Sequence, residues 1–213
     1  MATTIYIMRH GQSRHNAALE TGATFIREGK LGSKLTDLGK AQARQVSELL
    51  ADTHFDAIYS SDYHRAHQTA KIIAKPRKMT PTAIRELRER SWGSLQQKNF
   101  GPVLEQVEKL QAGLSEQEKM RVKLIDDMES EWEAAMRVKA KLEELSEEHA
   151  GQQILVVNHG NIMRSFLTMI GFATYDQLTS GSVANCGYAV LERPNPETWQ
   201  VRKVNGIQLL APV

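Results

Sequence analysis

The chain has one cysteine in 213 residues, which excludes an internal disulfide framework and any metal site built from several thiolates. That residue, Cys186, stands beside Gly187 and reads as a small buried side chain, not a nucleophile. Charge of one sign is also scarce: 27 basic residues face 25 acidic ones, for a net charge of +2. With no Lys/Arg block and no basic-aromatic stripe, nucleic acid is not expected as a partner. No apolar run is long enough to span a bilayer. The start Met1-Ala2-Thr3-Thr4-Ile5 lacks the basic and apolar regions of a secretory signal. No membrane partner is expected, and a cytoplasmic location is.

Hydrophobic residues at 41% and charged residues at 24% are ordinary for a globular chain that buries a core. The length suits one domain over residues 1–213. The oligomeric state stays open, a homodimer included. Strand-like runs recur at Thr4–Met8, Ala57–Ser60, Ile154–Asn158, Tyr188–Leu191 and Trp199–Val204. Helical patterns lie between most of them, at Thr36–Leu50 with Thr36 as N-cap, at Tyr63–Ala74 and at Asn161–Ile170. Strand then helix, repeated, predicts an α/β fold, a three-layer α/β/α sandwich around a mostly parallel sheet. The last two strands, joined through Arg193–Glu197, read as a hairpin, so the sheet is mixed. Residues of about 100–150 lack proline after Pro102 and carry apolar residues at helical spacing. They predict two or three inserted helices, either a solvated excursion or a cap over a site.

Arg9-His10-Gly11 follows the run Ile5–Met8, so a strand delivers a histidine to a turn. Backbone N–H groups of that turn, beside an obligate cation, would suit an anion such as phosphate. Ile154–Gly160 repeats the arrangement and ends in His159-Gly160. Two histidines at the carboxyl ends of two strands lie where open α/β sheets bind ligands. Arg65 falls in the first turn of the Tyr63–Ala74 helix, with Ser61 or Asp62 as cap. A cation there opposes the helix dipole unless an anion offsets it. Arg9, His10, Arg65 and His159 would form a cationic pocket suited to one phosphoryl group. The positive neighbours keep His10 neutral and nucleophilic.

These residues carry a resemblance to the histidine phosphatase superfamily, the phosphoglycerate mutase-like clan. The matches run in order at Ile5–Asn16, Leu35–Ala43, Ser60–Ala70, Arg88–Gly93 and Val156–Arg164, and the helical insert is the unmatched part. The resemblance implies that His10 accepts the phosphoryl group and that water then hydrolyses the phosphohistidine. It implies that Arg9, Arg65 and His159 hold the oxygens, with an added amide from Asn16. Ser13, Gly160 and Asn161 would make further contacts. Glu89 would protonate the leaving group, with Glu86 one turn away as the alternative acid. That role calls for a carboxyl pushed toward its neutral form by burial and a dianionic substrate.

No metal and no cofactor is expected. His64 and His67 are three apart on a helix, but no third ligand stands at a supporting spacing. His15, His54 and His149 read as surface residues, and Trp92 as a residue packed at the pocket wall. The expected activity is hydrolysis of a small-molecule phosphomonoester. The alternative is mutase-type phosphoryl transfer, for which Leu95-Gln96-Gln97-Lys98 is a mutase-like continuation. Mutases of this clan carry an Arg-Arg pair in the insert. Here only Lys109, Lys119, Arg121 and Lys123 could substitute. A non-catalytic phospho-ligand binder is the distant alternative, and the presence of both histidines and the acid argues against it.

Overall fold

The computed structural model describes residues 2–21, 31–97 and 100–211, so Lys98 of the mutase-like run lies outside the described residues. A six-stranded sheet is built from β1 (Thr4–Arg9), β2 (Ala57–Ser61), β3 (Thr82–Ile84), β4 (Gln153–Asn158), β5 (Val183–Asn195) and β6 (Thr198–Ile207). Its order is β3-β2-β4-β1-β5-β6. The first four strands in that order run parallel, and β5 and β6 are antiparallel. The sheet is therefore mixed, in an α/β fold.

Alternation of side chains along each strand builds two cores. On one face Ile5, Ile7, Ile154 and Val156 meet Val138 and Leu142 of α6 (Glu131–Glu148) and Ile162 and Phe166 of α7 (Gly160–Met169). On the other, Met8, Leu155 and Val157 meet Val46 of α2 (Asp37–Leu49) and Ala66, Ala70 and Ile73 of α3 (His64–Ala74). Each fully buried Ile or Leu contributes about 1.5–3 kcal/mol against exposure. Thr36 caps α2, its hydroxyl accepting from Gly39 N at 3.0 Å. Among the described residues no helix is long and apolar enough to cross a membrane.

Several expectations shift. The stretch of about 100–150 divides in two. Only α4 (Phe100–Gln111) and α5 (Glu116–Arg121) form an excursion, which packs through Val103, Val107 and Met128 on Trp92. The third helix, α6, is half of one core layer, because Ala134, Val138, Leu142 and Leu145 are buried on the sheet. The strand expected at Tyr188–Leu191 extends over Val183–Asn195, with register shifts that its polar Asn185 and Gly187 obscure in sequence. Strand β3 is three residues at the sheet edge, too short for a period to show.

The register of β1 on β4 positions the site. Arg9 stands opposite Asn158, so the residues that follow, His10 and His159, emerge side by side. Their ring centroids are 5.2 Å apart. Neighbouring parallel strands of equal register thus join two His-Gly ends that lie 149 residues apart in the sequence (159 − 10).

Candidate active site

His10 is buried, and its contacts define its tautomer. Nδ1 lies 2.7 Å from the Gly11 carbonyl oxygen, which only accepts, so Nδ1 carries the proton. Nε2 receives Arg65 Nε–H at 2.9 Å, so Nε2 presents its lone pair. Burial first, then the charges of Arg65 and Arg9, hold the His10 pKa well below 6.5. The main chain is pinned as well. His10 N donates to Asn158 O at 3.0 Å, and its carbonyl accepts from Cys186 N at 3.3 Å and Asn185 Nδ2 at 3.1 Å.

The turn after His10 does not offer free N–H groups, which corrects the sequence expectation. Gly11 N donates to Thr69 Oγ1, Gln12 N to Gln42 Oε1, Ser13 N to Asn16 Oδ1, Arg14 N to Lys34 O and His15 N to Ser33 Oγ. Any anion here meets side chains instead. Close approach of α2 supplies part of this closure. A Cβ on Gly39 would lie 2.0 Å from Gln12 O, and one on Gly11 would lie 2.4 Å from Gly39 O. Glycine is required at both.

Arg9 and Arg65 line the cavity with His10. Burial lowers the pKa of each guanidinium while Glu89 opposes that shift. Arg65 lies over the Tyr63 ring, 4.9 Å from its centroid, and Arg88 lies over the same ring at 5.0 Å. Tyr63, not Ser61 or Asp62, is the N-cap of α3, and it makes no side-chain cap bond. Of the two expected caps, Asp62 takes Arg88 at 2.7 and 2.6 Å, while Ser61 Oγ bonds His159 Nε2 at 2.9 Å and accepts from Tyr63 N at 3.3 Å. His159 is fully buried behind His10, outside the cavity lining. Burial, then Arg65, His10 and Arg9, hold its pKa well below 6.5. Its Nδ1 has no hydrogen-bond partner among the described residues.

Glu89 lines the cavity, whereas Glu86 is exposed and outside it. The Glu89 carboxylate sits on the N-terminus of α7. Oε1 accepts from Arg90 N and Ile162 N, both at 3.0 Å, and Oε2 accepts from Asn161 N at 3.2 Å. All three contacts are backbone N–H donors to the carboxylate oxygens.

Asn16, Gly160 and Asn161 line the cavity as expected, but Ser13 does not. Ser13 is fully buried and closes a capping box on α1 (Arg14–Glu20), with Ser13 Oγ 2.9 Å from Asn16 Oδ1. Its hydroxyl is spent on the helix end. Gly160 leaves room for Arg9, whose Cδ would lie 3.0 Å from a Cβ there.

Several lining residues escape the sequence reading, among them His15, expected at the surface, and Asn185 and Arg90. Asn185 acts through the His10 carbonyl. Arg90 is buried against Trp92 at 4.0 Å and pairs with Glu131 at 3.4 Å. Glu131 also holds Arg164, Ser165 and Tyr175. The Arg88–Gly93 motif contains Arg90, yet nothing in the sequence marks Glu131 as its partner. Elsewhere His67 Nδ1 bonds Ser60 Oγ at 3.0 Å. Cys186 is buried in a left-handed conformation (φ 59°), and burial pushes its thiol up to about 12.

The cavity holds about 460 Å³. Its inner end is His10, Arg9 and Arg65, and its outer wall includes Leu19, Trp92 and Leu104 of α4. Lys109, Lys119, Arg121 and Lys123 of the excursion do not line it. Lys119 pairs with Asp176 at 2.8 Å, Lys123 with Glu133 at 3.2 Å, and Arg121 stacks on Trp132 at 4.3 Å.

Residues 5–206 match the model of the histidine phosphatase superfamily, branch 1. The chain belongs to this superfamily. Within the superfamily it is 32% identical over 166 residues to phosphoglycerate mutase-like protein 4 of Arabidopsis thaliana, covering 76% of this chain and 68% of that protein. It is also 32% identical over 186 residues to a metal-independent phosphoserine phosphatase of Arabidopsis thaliana, covering 85% of this chain and 74% of that protein. The fold superposes on a phosphoglycerate mutase from Bacillus anthracis with a TM-score of 0.78 at 24% identity, covering 97% of this chain and 93% of that one. Histidine phosphatase superfamily relatives thus carry both phosphatase and mutase names.

Proposed function

We propose that the protein is a phosphomonoester hydrolase that works through a phosphohistidine on His10, without a metal or cofactor. The observation that carries this reading is the His10 tautomer, with Nδ1–H tied to Gly11 O and the Nε2 lone pair turned to Arg65 in a cationic cavity. A neutral imidazole with a directed lone pair is an activated nucleophile.

Nε2 attacks phosphorus as the bond to the ester oxygen breaks, and the bond's electron pair leaves on that oxygen. Arg9 and Arg65 take the equatorial oxygens, where catalysis of phosphoryl transfer is mostly positioning and charge stabilisation. His159 stands against His10, and its Nδ1, which has no partner among the described residues, is assigned as a further donor once the phosphoryl group is bound, with Ser61 Oγ accepting from Tyr63 N and donating to His159 Nε2. Glu89 hands a proton to the leaving oxygen. That proton arrives with the monoanionic ester, whose second ionisation lies near pH 6. A water then attacks phosphorus, Glu89 takes its proton, and the P–N bond breaks to return the lone pair to Nε2.

Mutase-type transfer is the second reading, favoured by the names of some relatives. Against it, the four cations available in the excursion turn to other partners or stay off the cavity. A panel of phosphomonoesters, with and without a chelator, tests the proposal. Wild-type turnover that survives chelation and is abolished in His10→Ala supports it. Turnover retained in His10→Ala removes His10 as nucleophile, and loss in chelator restored by a divalent ion removes the metal-free route.

A further inference from the structure

The cavity is graded from end to end, and the grading bears on the leaving group. At the inner end Arg9 and Arg65 flank His10. Beyond it, the charges are already balanced within the protein. Arg90 is 8% exposed, stacked on Trp92 at 4.0 Å, and lies in the fields of Glu131 and Glu89. The second arginine on Glu131, Arg164, is likewise buried and donates to Leu178 O at 3.1 Å. Arg90 and Arg164 share Glu131, so among the described residues this wall offers a stacked guanidinium that already has its partner within the protein.

Two further charges matter. Glu20 adds a carboxylate to the lining, bound by Gln12 Nε2 at 2.9 Å. His15 is no counterweight, because burial and Arg65 bring its pKa down to about 4. Among the described residues, the lining outside the phosphoryl end therefore carries no cation without a carboxylate partner.

Its rim carries two leucines beside Thr179 and Ser180. Leu19 and Leu104, on α1 and α4, both line the cavity yet remain 53% and 43% exposed. Among the described residues, helix α1 buries none of its own. At about 460 Å³, the volume falls in the range of pockets that enclose ligands of drug size, and a phosphoryl group fills only a small part of it.

From this we propose that the outer cavity selects a phosphomonoester whose leaving group is uncharged and largely apolar, and disfavours one bearing a carboxylate. The proposal rests on the hydrolase reading for the orientation of the ester, phosphoryl group innermost. It sets this chain apart from the carboxylated phosphoesters named for some of its relatives. Leu19 and Leu104 then act as the surface that the leaving group buries, and Glu20 as the charge that repels an acid.

Binding of non-hydrolysable phosphonates separates this proposal from the chemistry. Ethylphosphonate, hexylphosphonate and phosphonohexanoic acid are titrated calorimetrically into the wild-type protein and into Leu104→Asp. The expected dissociation constant for hexylphosphonate is roughly ten- to 100-fold below that for ethylphosphonate, with the terminal carboxylate cancelling most of the gain. Leu104→Asp shrinks the hexyl-to-ethyl ratio. Equal binding of ethyl- and hexylphosphonate within about twofold, tighter binding of the acid, or an unchanged ratio in Leu104→Asp overturns the proposal. Hexyl phosphate is then assayed for turnover. Selectivity among phosphonates with no hydrolysis of that ester sinks the hydrolase reading and leaves the selectivity standing.

Discussion

Arg65 Nε donates a 2.9 Å hydrogen bond to His10 Nε2, the atom that the proposed mechanism turns on phosphorus. The same N–H that directs the lone pair must transfer to a phosphoryl oxygen before attack. Arg65 is able to do this because its guanidinium is held by stacking on Tyr63 and keeps further donors for the phosphoryl group.

Replacing Arg65 with lysine keeps the charge and removes the fork. Arg65→Lys is expected to lower kcat about 10²–10³-fold, the loss seen when one pre-aligned donor to a developing charge is removed. Steady-state kinetics with a purified, folded variant checks it. Wild-type kcat in the lysine variant would show that charge alone suffices.

Glu89→Gln keeps the shape of the side chain and removes the transferable proton. For alkyl esters, a drop of about 10²–10⁴-fold is expected. For p-nitrophenyl phosphate, whose leaving group needs no proton, the burst of nitrophenolate that reports phosphoryl transfer slows by less than about tenfold, and the loss falls on the later hydrolysis of the phosphohistidine. Equal losses in the transfer step on both esters would mean that Glu89 supports α7 and does not protonate the leaving group. The variant is also less stable by about 1–3 kcal/mol, since an amide NH₂ turned toward any of the three N–H donors leaves it unpaired.

Stability is expected to depend on the two buried histidines. The folded pKa of His10 and of His159 is depressed well below 6.5, so below about pH 6.5 the unfolded chain binds protons that the folded chain does not. Their neutral forms are tolerated fully above that pH, and stability falls as pH drops below it. The slope is up to about 1.4 kcal/mol per pH unit for each histidine. Urea unfolding across about pH 5 to 8 measures it, and His159→Asn should flatten the slope. A slope of the opposite sign would place charged histidines in the folded protein.

The contact of Gly39 with Gln12 gives a test remote from the chemistry. Gly39→Ala places a Cβ 2.0 Å from Gln12 O, a backbone atom that cannot swing aside. The expected cost is about 1–3 kcal/mol, with reduced turnover because Gln12 follows the His10-Gly11 turn. Thermal denaturation and kinetics on the one variant read both effects.

Both His-Gly strand ends are legible in the sequence because each combines a short apolar run, a histidine and a glycine in consecutive positions. Their meeting in one pocket is expected from the two strand ends, but the pairing that produces it, β1 on β4 at the register Arg9–Asn158, is not legible. Helix α6 reads as part of an insert because its charged face dominates its composition, while the stripe Ala134, Val138, Leu142, Leu145 decides its place on the sheet. Ser13 is expected as a contact from the family resemblance, but an N-cap needs the same residue type, and that is where its hydroxyl goes. The Arg90–Glu131 pair joins two distant segments and leaves no local trace.

The covalent state of His10 during turnover is the most direct measure of the mechanism. The protein is mixed briefly with substrate, denatured in alkali to preserve a phosphoramidate, and mapped by mass spectrometry. The mechanism predicts one phosphoryl group per chain, on the peptide containing His10, absent from His10→Ala and accumulating in Glu89→Gln with an aryl ester. A phosphoryl group on another residue, or hydrolysis at full rate with no phosphoenzyme at any time point, would contradict it.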